Sequence, residues 1–295
     1  MYEVSEYILF YLMLEGIGVK EELHSIGVTD ESIQIEKARS KKLVELLVEV
    51  LRSLDKDLMS VDCYKRGVQD FGIKMQHSGP MFLAYTKNTN EDSVKSLYAL
   101  MALKLPRILR KMGMNGRFVR GSLVKGFGWE IEEAGCRTLY GPVMNKAWQY
   151  LTSYAYSLRI IIEPKLFKIL SDRSSYGDSK DADWLPLYAS KDYDGQGIFD
   201  YLACDRNSPS VLYDTEEVAI NEMKRTLRAI QQVVSNLVGV YYKHDNSKSV
   251  RMSMALREYV LRSISRWTNR NELDILREVD PNIDRVYRKM QNANG

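Results

Sequence analysis

The sequence lacks the residues that build covalently or metal-stapled folds. Its 295 residues hold three cysteines, Cys63, Cys136 and Cys204, far apart and with no CxxC spacing. That argues against a disulfide framework or a zinc cluster and fits a reducing cytoplasm. Excess charge of one sign is also missing: 42 Lys+Arg against 39 Asp+Glu leave a net +3. Nucleic-acid binding usually needs a concentrated basic surface, and no RNP-type aromatic motif is present, so nucleic acid is not an expected partner. Long apolar runs are absent too. The early run Tyr7–Leu14 ends after eight residues at Glu15, too short to cross a bilayer as a helix. No basic n-region precedes it, so no secretory leader is expected. There is no internal repeat, no low-complexity tract and no G-x-S-x-G for serine catalysis. What remains is an ordinary globular composition, 45% hydrophobic and 27% charged, enough for one large domain or a domain with an appendage.

Periodicity gives the element order. Tyr7–Leu14 reads as a central buried strand bounded by Gly16 and Gly18. Leu43, Leu46, Leu47, Val50, Leu51 and Leu54 form the stripe of an amphipathic helix over 41–54. Phe71–Gln76 and Met81–Thr86 flank His77-Ser78-Gly79-Pro80 and predict a hairpin. Asp92–Met112 is a helix that Pro106 is expected to kink or divide. Arg117–Phe127 is a strand, and Pro142–Tyr156 a helix with proline in its first turn. Leu158–Glu163 is a buried strand stopped by Pro164, Ser171–Asp183 a surface loop, and Ile198–Ala203 a last short strand. From Glu216 the pattern turns helical: Glu216–Val240, Val250–Trp267 and part of the tail. The expected fold class is α+β, a ferredoxin-like mixed or antiparallel sheet flanked by helices. Residues 1–215 would form the sheet domain and 216–295 a helical extension or dimer arm.

Several segments resemble the class III nucleotidyl cyclase homology domain, nearest to the bacterial pyrimidine cyclases of antiphage (Pycsar-type) defence. They are Met13-Leu14-Glu15-Gly16-Ile17-Gly18-Val19-Lys20, then Val119-Arg120-Gly121-Ser122-Leu123-Val124-Lys125-Gly126, then Tyr140-Gly141-Pro142-Val143-Met144-Asn145-Lys146-Ala147-Trp148 with Arg159-Ile160-Ile161-Ile162, and finally Lys191-Asp192-Tyr193-Asp194-Gly195 with Phe199-Asp200-Tyr201-Leu202. The resemblance covers roughly residues 5–205, and order and spacing hold best from Arg120 to Ile162. It implies a homodimer with the nucleotide site between subunits, and a nucleoside triphosphate or cyclic nucleotide as ligand. In such cyclases a ribose 3′-hydroxyl attacks the α-phosphate and pyrophosphate leaves, with Mg²⁺ or Mn²⁺ held by two aspartates.

The residues depart from that pattern in two places. Glu15 stands where the first Asp would be and is the candidate metal ligand; equally, it is a solvated charge ending a buried strand. The hairpin turn Gln76-His77-Ser78-Gly79-Pro80 has no carboxylate, and imidazole suits softer metals than Mg²⁺. Asn145 matches the family's ribose-holding Asn, but Gln149 replaces the Arg four residues on. Arg120 and Lys125 are the candidate phosphate-binding cations, or else charges that guard a strand. Gly16 and Gly18 would cradle a phosphate through backbone N–H groups, or simply make a tight turn. Tyr140, Trp148, Tyr150, Tyr154 and Tyr156 read as core and dimer packing more readily than as a base-stacking set. Taken together, the residues predict a cyclase-like scaffold with a degenerate metal site that binds a nucleotide or regulates. The alternative is an active cyclase that makes a 3′,5′-cyclic monophosphate from CTP or UTP.

Overall fold

The apolar run near the start of the chain becomes the centre of the sheet. The computed structural model describes residues 3–16, 72–78, 81–87, 89–113, 117–133, 136–153, 159–178, 183–192, 194–203, 216–241 and 248–280. The helix expected over 41–54 lies outside them. Strand β1 (Ser5–Gly16) lies between β3 (Met81–Thr86) and β4 (Arg117–Glu133) and is antiparallel to both. β2 (Lys74–Ser78) pairs with β3 as the expected hairpin. These four strands stand in the order β2-β3-β1-β4, all antiparallel, which is the ferredoxin-like arrangement. Beyond β4 come β6 (Ile160–Ile162), parallel to it, then β8 (Gly197–Phe199) and β7 (Ala189–Lys191). The fold is α+β, a mixed sheet flanked by helices.

β1 is buried on both faces, which is why its sequence does not alternate in polarity. Ile8, Phe10 and Leu12 join one core cluster, and Tyr7, Leu9 and Tyr11 the other. The first cluster is covered by α1 (Glu91–Gly113) and α3 (Pro164–Ser171), the second by α2 (Pro142–Ser153). α1 runs unbroken through Pro106, so the expected division does not occur. The cost of an interior proline, about 3 kcal/mol, is outweighed by the burial of Val94, Leu97, Tyr98, Leu100, Met101 and Leu105 on one face.

Three elements differ from the sequence expectation. β4 does not stop at Phe127 but continues to Glu133 and turns back as β5 (Cys136–Tyr140). Glu130 of this arm is held by Lys74 of β2 at 2.7 Å, which ties the arm to the far edge of the sheet. The segment read as a surface loop contains a 3-10 turn, Arg173–Tyr176, whose tyrosine is buried. β7 has only three residues, too few for period-two alternation to register.

The C-terminal helices are α4 (Glu216–Tyr241), α5 (Lys248–Thr268) and α6 (Glu272–Val279). Met223, Leu227 and Ile230 of α4 share the larger cluster with α1, as do Leu256, Val260, Ile264 and Trp267 of α5 and Ile275 of α6. The same apolar core therefore runs from the sheet into the helical segment. Among the described residues, no helix is long and apolar enough to cross a membrane.

Candidate functional site

Backbone register orders the candidate residues along the sheet. Ser78 stands opposite Met81, Met81 opposite Met13, and Met13 opposite Arg120. Glu15 pairs with Phe118, two residues beyond Met13. Gly16 ends β1. Gly18 and the side chains of Glu15, His77 and Ser78 lie outside the described residues. Arg120 is half-buried beside Tyr11. Burial raises the Tyr11 phenol above its ordinary value, and the Arg120 charge opposes that rise. The Tyr11 hydroxyl donates to Met81 Sδ at 3.0 Å.

Lys125 is at the other end. It pairs with Ile8, seven residues along β4 from Phe118, or about 23 Å at the usual strand rise. Its ammonium forms an ion pair with Glu6 at 3.0 Å, and Thr89 Oγ1 donates to the same Glu6 oxygen at 2.9 Å. Asn145 belongs to this end too. Its neighbour Lys146 donates to the Lys125 carbonyl at 2.8 Å, and Val143 lies against Gly126, where an added Cβ would come 3.3 Å from the valine Cα. Asn145, Trp148 and Gln149 are exposed on the outer face of α2, and Tyr140 is exposed just before it. Of the aromatic set read as packing, only Tyr150 packs against the core among the described residues. Tyr154 and Tyr156 lie outside them.

Within one chain the register therefore places Glu15 and Arg120 toward one end of the sheet, and Lys125, with the first turn of α2 that carries Asn145, toward the other. It does not join the two groups. Sequence reasoning missed Glu6, Lys146 and Glu163. Of these only Glu163 carried a signal, as a lone carboxylate between an Ile run and a proline.

The Glu6 pair is a pH-dependent contact. The hydrogen bond from Lys125 holds the Glu6 carboxyl below its ordinary value of 4.5. A depressed carboxyl stabilises the fold above its unfolded pKa and loses that contribution as pH falls through the folded value. The stability gap between wild type and Glu6→Gln should be widest near neutrality and close on acidification as the carboxyl takes up its proton. Denaturant midpoints across pH would check this. A gap that widens in acid would contradict it.

The late motif supplies an internal ion pair. Asp192 and Asp194 hold the guanidinium of Arg159, which is only 6% exposed. Burial pushes the Asp194 carboxyl up, but hydrogen bonds from Arg159 and the Gln196 N–H outweigh it and leave the carboxyl below its ordinary value. These carboxylates are committed to an internal pair.

The hairpin-turn sequence Gln76-His77-Ser78-Gly79-Pro80 has no acidic residue. Among the described residues, no three His, Cys, Asp or Glu side chains gather where a cation could be held. A cleft of about 650 Å³ lined by Arg257, Arg262, Ser265 and Asn271 lies on α5 and α6, and none of the candidate site residues lines it.

No protein-family model matches the chain, and no curated protein matches it. Solved structures do match. One is a bacterial light-regulated adenylyl cyclase, 11% identical with a TM-score of 0.32, matched over 57% of this chain. The chain spans 46% of that protein's length. The fold class rests on strand order and register.

Proposed function

We propose that the chain is a nucleotide-binding relative of the class III nucleotidyl cyclases whose metal pair is incomplete. It would act as a sensor or regulatory partner in bacterial antiphage signalling. One observation carries this reading. Met81, which follows the β2–β3 turn, pairs with Met13 two residues before Glu15, and the turn sequence contains no carboxylate. A two-ion phosphoryl centre that loses one of its carboxylates loses the main source of transition-state stabilisation. Nucleotide binding asks less. Asn145 is exposed, as are Tyr140 just before α2 and Trp148 three residues on, so this end offers an amide and two aromatic rings.

The separation within one chain bears on assembly. Groups serving one nucleotide must converge within hydrogen-bond reach, yet Glu15 and Lys125 are about 23 Å apart along the sheet. A site using both ends needs a second copy, so a homodimer is part of the proposal. The expected result is that a nucleoside triphosphate raises the melting temperature of the wild type. Asn145→Ala is expected to weaken binding about tenfold, the loss of a good hydrogen bond to a polar ligand. Light scattering should report two chains. A melting temperature indifferent to all four triphosphates, or a strict monomer at every concentration, would sink the reading.

The active-cyclase reading is favoured by one observation, the closeness in register of Glu15 and Arg120. It predicts that purified protein turns CTP or UTP into a cyclic product and pyrophosphate.

A further inference from the structure

β6 is only three residues long, because Pro164 has no N–H to extend the ladder and begins α3 instead. The Glu163 N–H still donates to the Leu123 carbonyl at 2.9 Å. The next β4 amide on that side, Lys125 N–H, then faces no strand. The Glu163 carboxylate fills the place: Oε2 accepts from Lys125 N at 2.9 Å. Its other oxygen pairs with Lys146 Nζ at 2.8 Å, and the same ammonium donates to the Lys125 carbonyl at 2.8 Å. Glu163 is buried, and a buried carboxylate is tolerated only when paired. Here both oxygens are paired, one with a backbone amide and one with a cation. One residue past Lys146, the Ala147 carbonyl accepts from the buried Ser122 hydroxyl at 3.0 Å. The first half of α2 is thus fixed to β4 by polar bonds at Lys146 and at Ala147, immediately beside Asn145.

We infer that Lys146 and Glu163 are positioning residues for Asn145. Their clasp sets the height and rotation of the first turn of α2 over β4, and so where the Asn145 amide is presented. The role of Asn145 rests on the nucleotide reading; the clasp does not. A cation at 146 is needed because methionine, of similar length, would leave Glu163 buried with its charge uncompensated. Arginine would restore the pair.

Two readouts test this. In Lys146→Met, backbone amides of 143–147 and of Lys125 should exchange at least tenfold faster than in wild type, with Lys146→Arg restoring protection. Glu163→Gln keeps the shape and an acceptor for Lys125 N–H but removes the charge, and should fold while showing a smaller increase, about threefold. Unchanged exchange in both variants would overturn the inference. For nucleotide affinity, measured with ATP, GTP, CTP and UTP, Lys146→Met should lose about tenfold, and the double variant with Asn145→Ala should be no weaker than Asn145→Ala alone. Additive losses would mean that Lys146 touches the ligand itself, and would overturn a positioning role. If the wild type binds none of the four, the functional reading falls, and the exchange data alone decide the clasp.

Discussion

Gly121→Ala is expected to cost about 3 kcal/mol of stability, and Gly121→Val to prevent folding. A Cβ at position 121 would meet the Tyr11 carbonyl oxygen at 2.3 Å and Leu12 Cδ2 at 2.6 Å. A leucine methyl can swing away. The carbonyl cannot, because it belongs to β1 in its long antiparallel pairing with β4, the seam on which both core clusters are built. Gly126→Ala is the control, since its added Cβ comes no nearer than 3.3 Å to Val143, so its cost should be smaller. Urea midpoints for the two variants measure the difference. A loss under about 1 kcal/mol for Gly121→Ala would mean that the seam yields elastically.

Asp200→Ala is expected to cost about 2–4 kcal/mol and to loosen α5 from the sheet. Asp200 follows β8 and is 2% exposed. Its carboxylate accepts from Tyr259 Oη at 2.6 Å and from Arg266 at 2.9 Å. Arg266 is half-exposed and can rehydrate, so most of the loss comes from the partly buried Tyr259 hydroxyl left without its acceptor. Burial, together with the Asp200 charge, raises the Tyr259 phenol well above its ordinary value, so it remains a donor at every pH the fold tolerates. The same hydroxyl accepts from the Leu202 N–H at 3.2 Å, and Trp267 Nε1 donates to the Leu202 carbonyl at 3.1 Å. Tyr259→Phe should therefore cost about 1–2 kcal/mol, and the double variant less than the sum of the two. Strict additivity in denaturant unfolding would show that the network is not cooperative.

Much of this fold was legible because its strongest signals are local. The unbroken apolar run Tyr7–Leu14 could only be a strand buried on both faces, and Gly141-Pro142 marked the start of α2. The β4–β5 arm was missed because Gly126 and Gly128 look like the end of a strand. In the structure they admit α2 and the returning strand at close range, with the Tyr140 carbonyl 2.6 Å from where a Gly128 Cβ would be. The candidate site was legible as residue types but not as an arrangement. Nothing in the spacing of Glu15, Arg120, Lys125 and Asn145 says that register divides them between two ends of the sheet. The clasp was invisible for a similar reason. It depends on β6 ending two residues before a proline, so that the side chain of the residue between them takes over a backbone acceptor's place.

The central claim concerns chemistry, and mass spectrometry tests it most directly. Purified protein incubated with ATP, GTP, CTP or UTP and Mg²⁺ or Mn²⁺ should yield no cyclic nucleotide and no pyrophosphate, although at least one triphosphate stabilises the fold. Cyclic product from the wild type that vanishes in Glu15→Ala would contradict the account, because it would show that a working metal centre is assembled at the end of β1 despite the missing hairpin carboxylate.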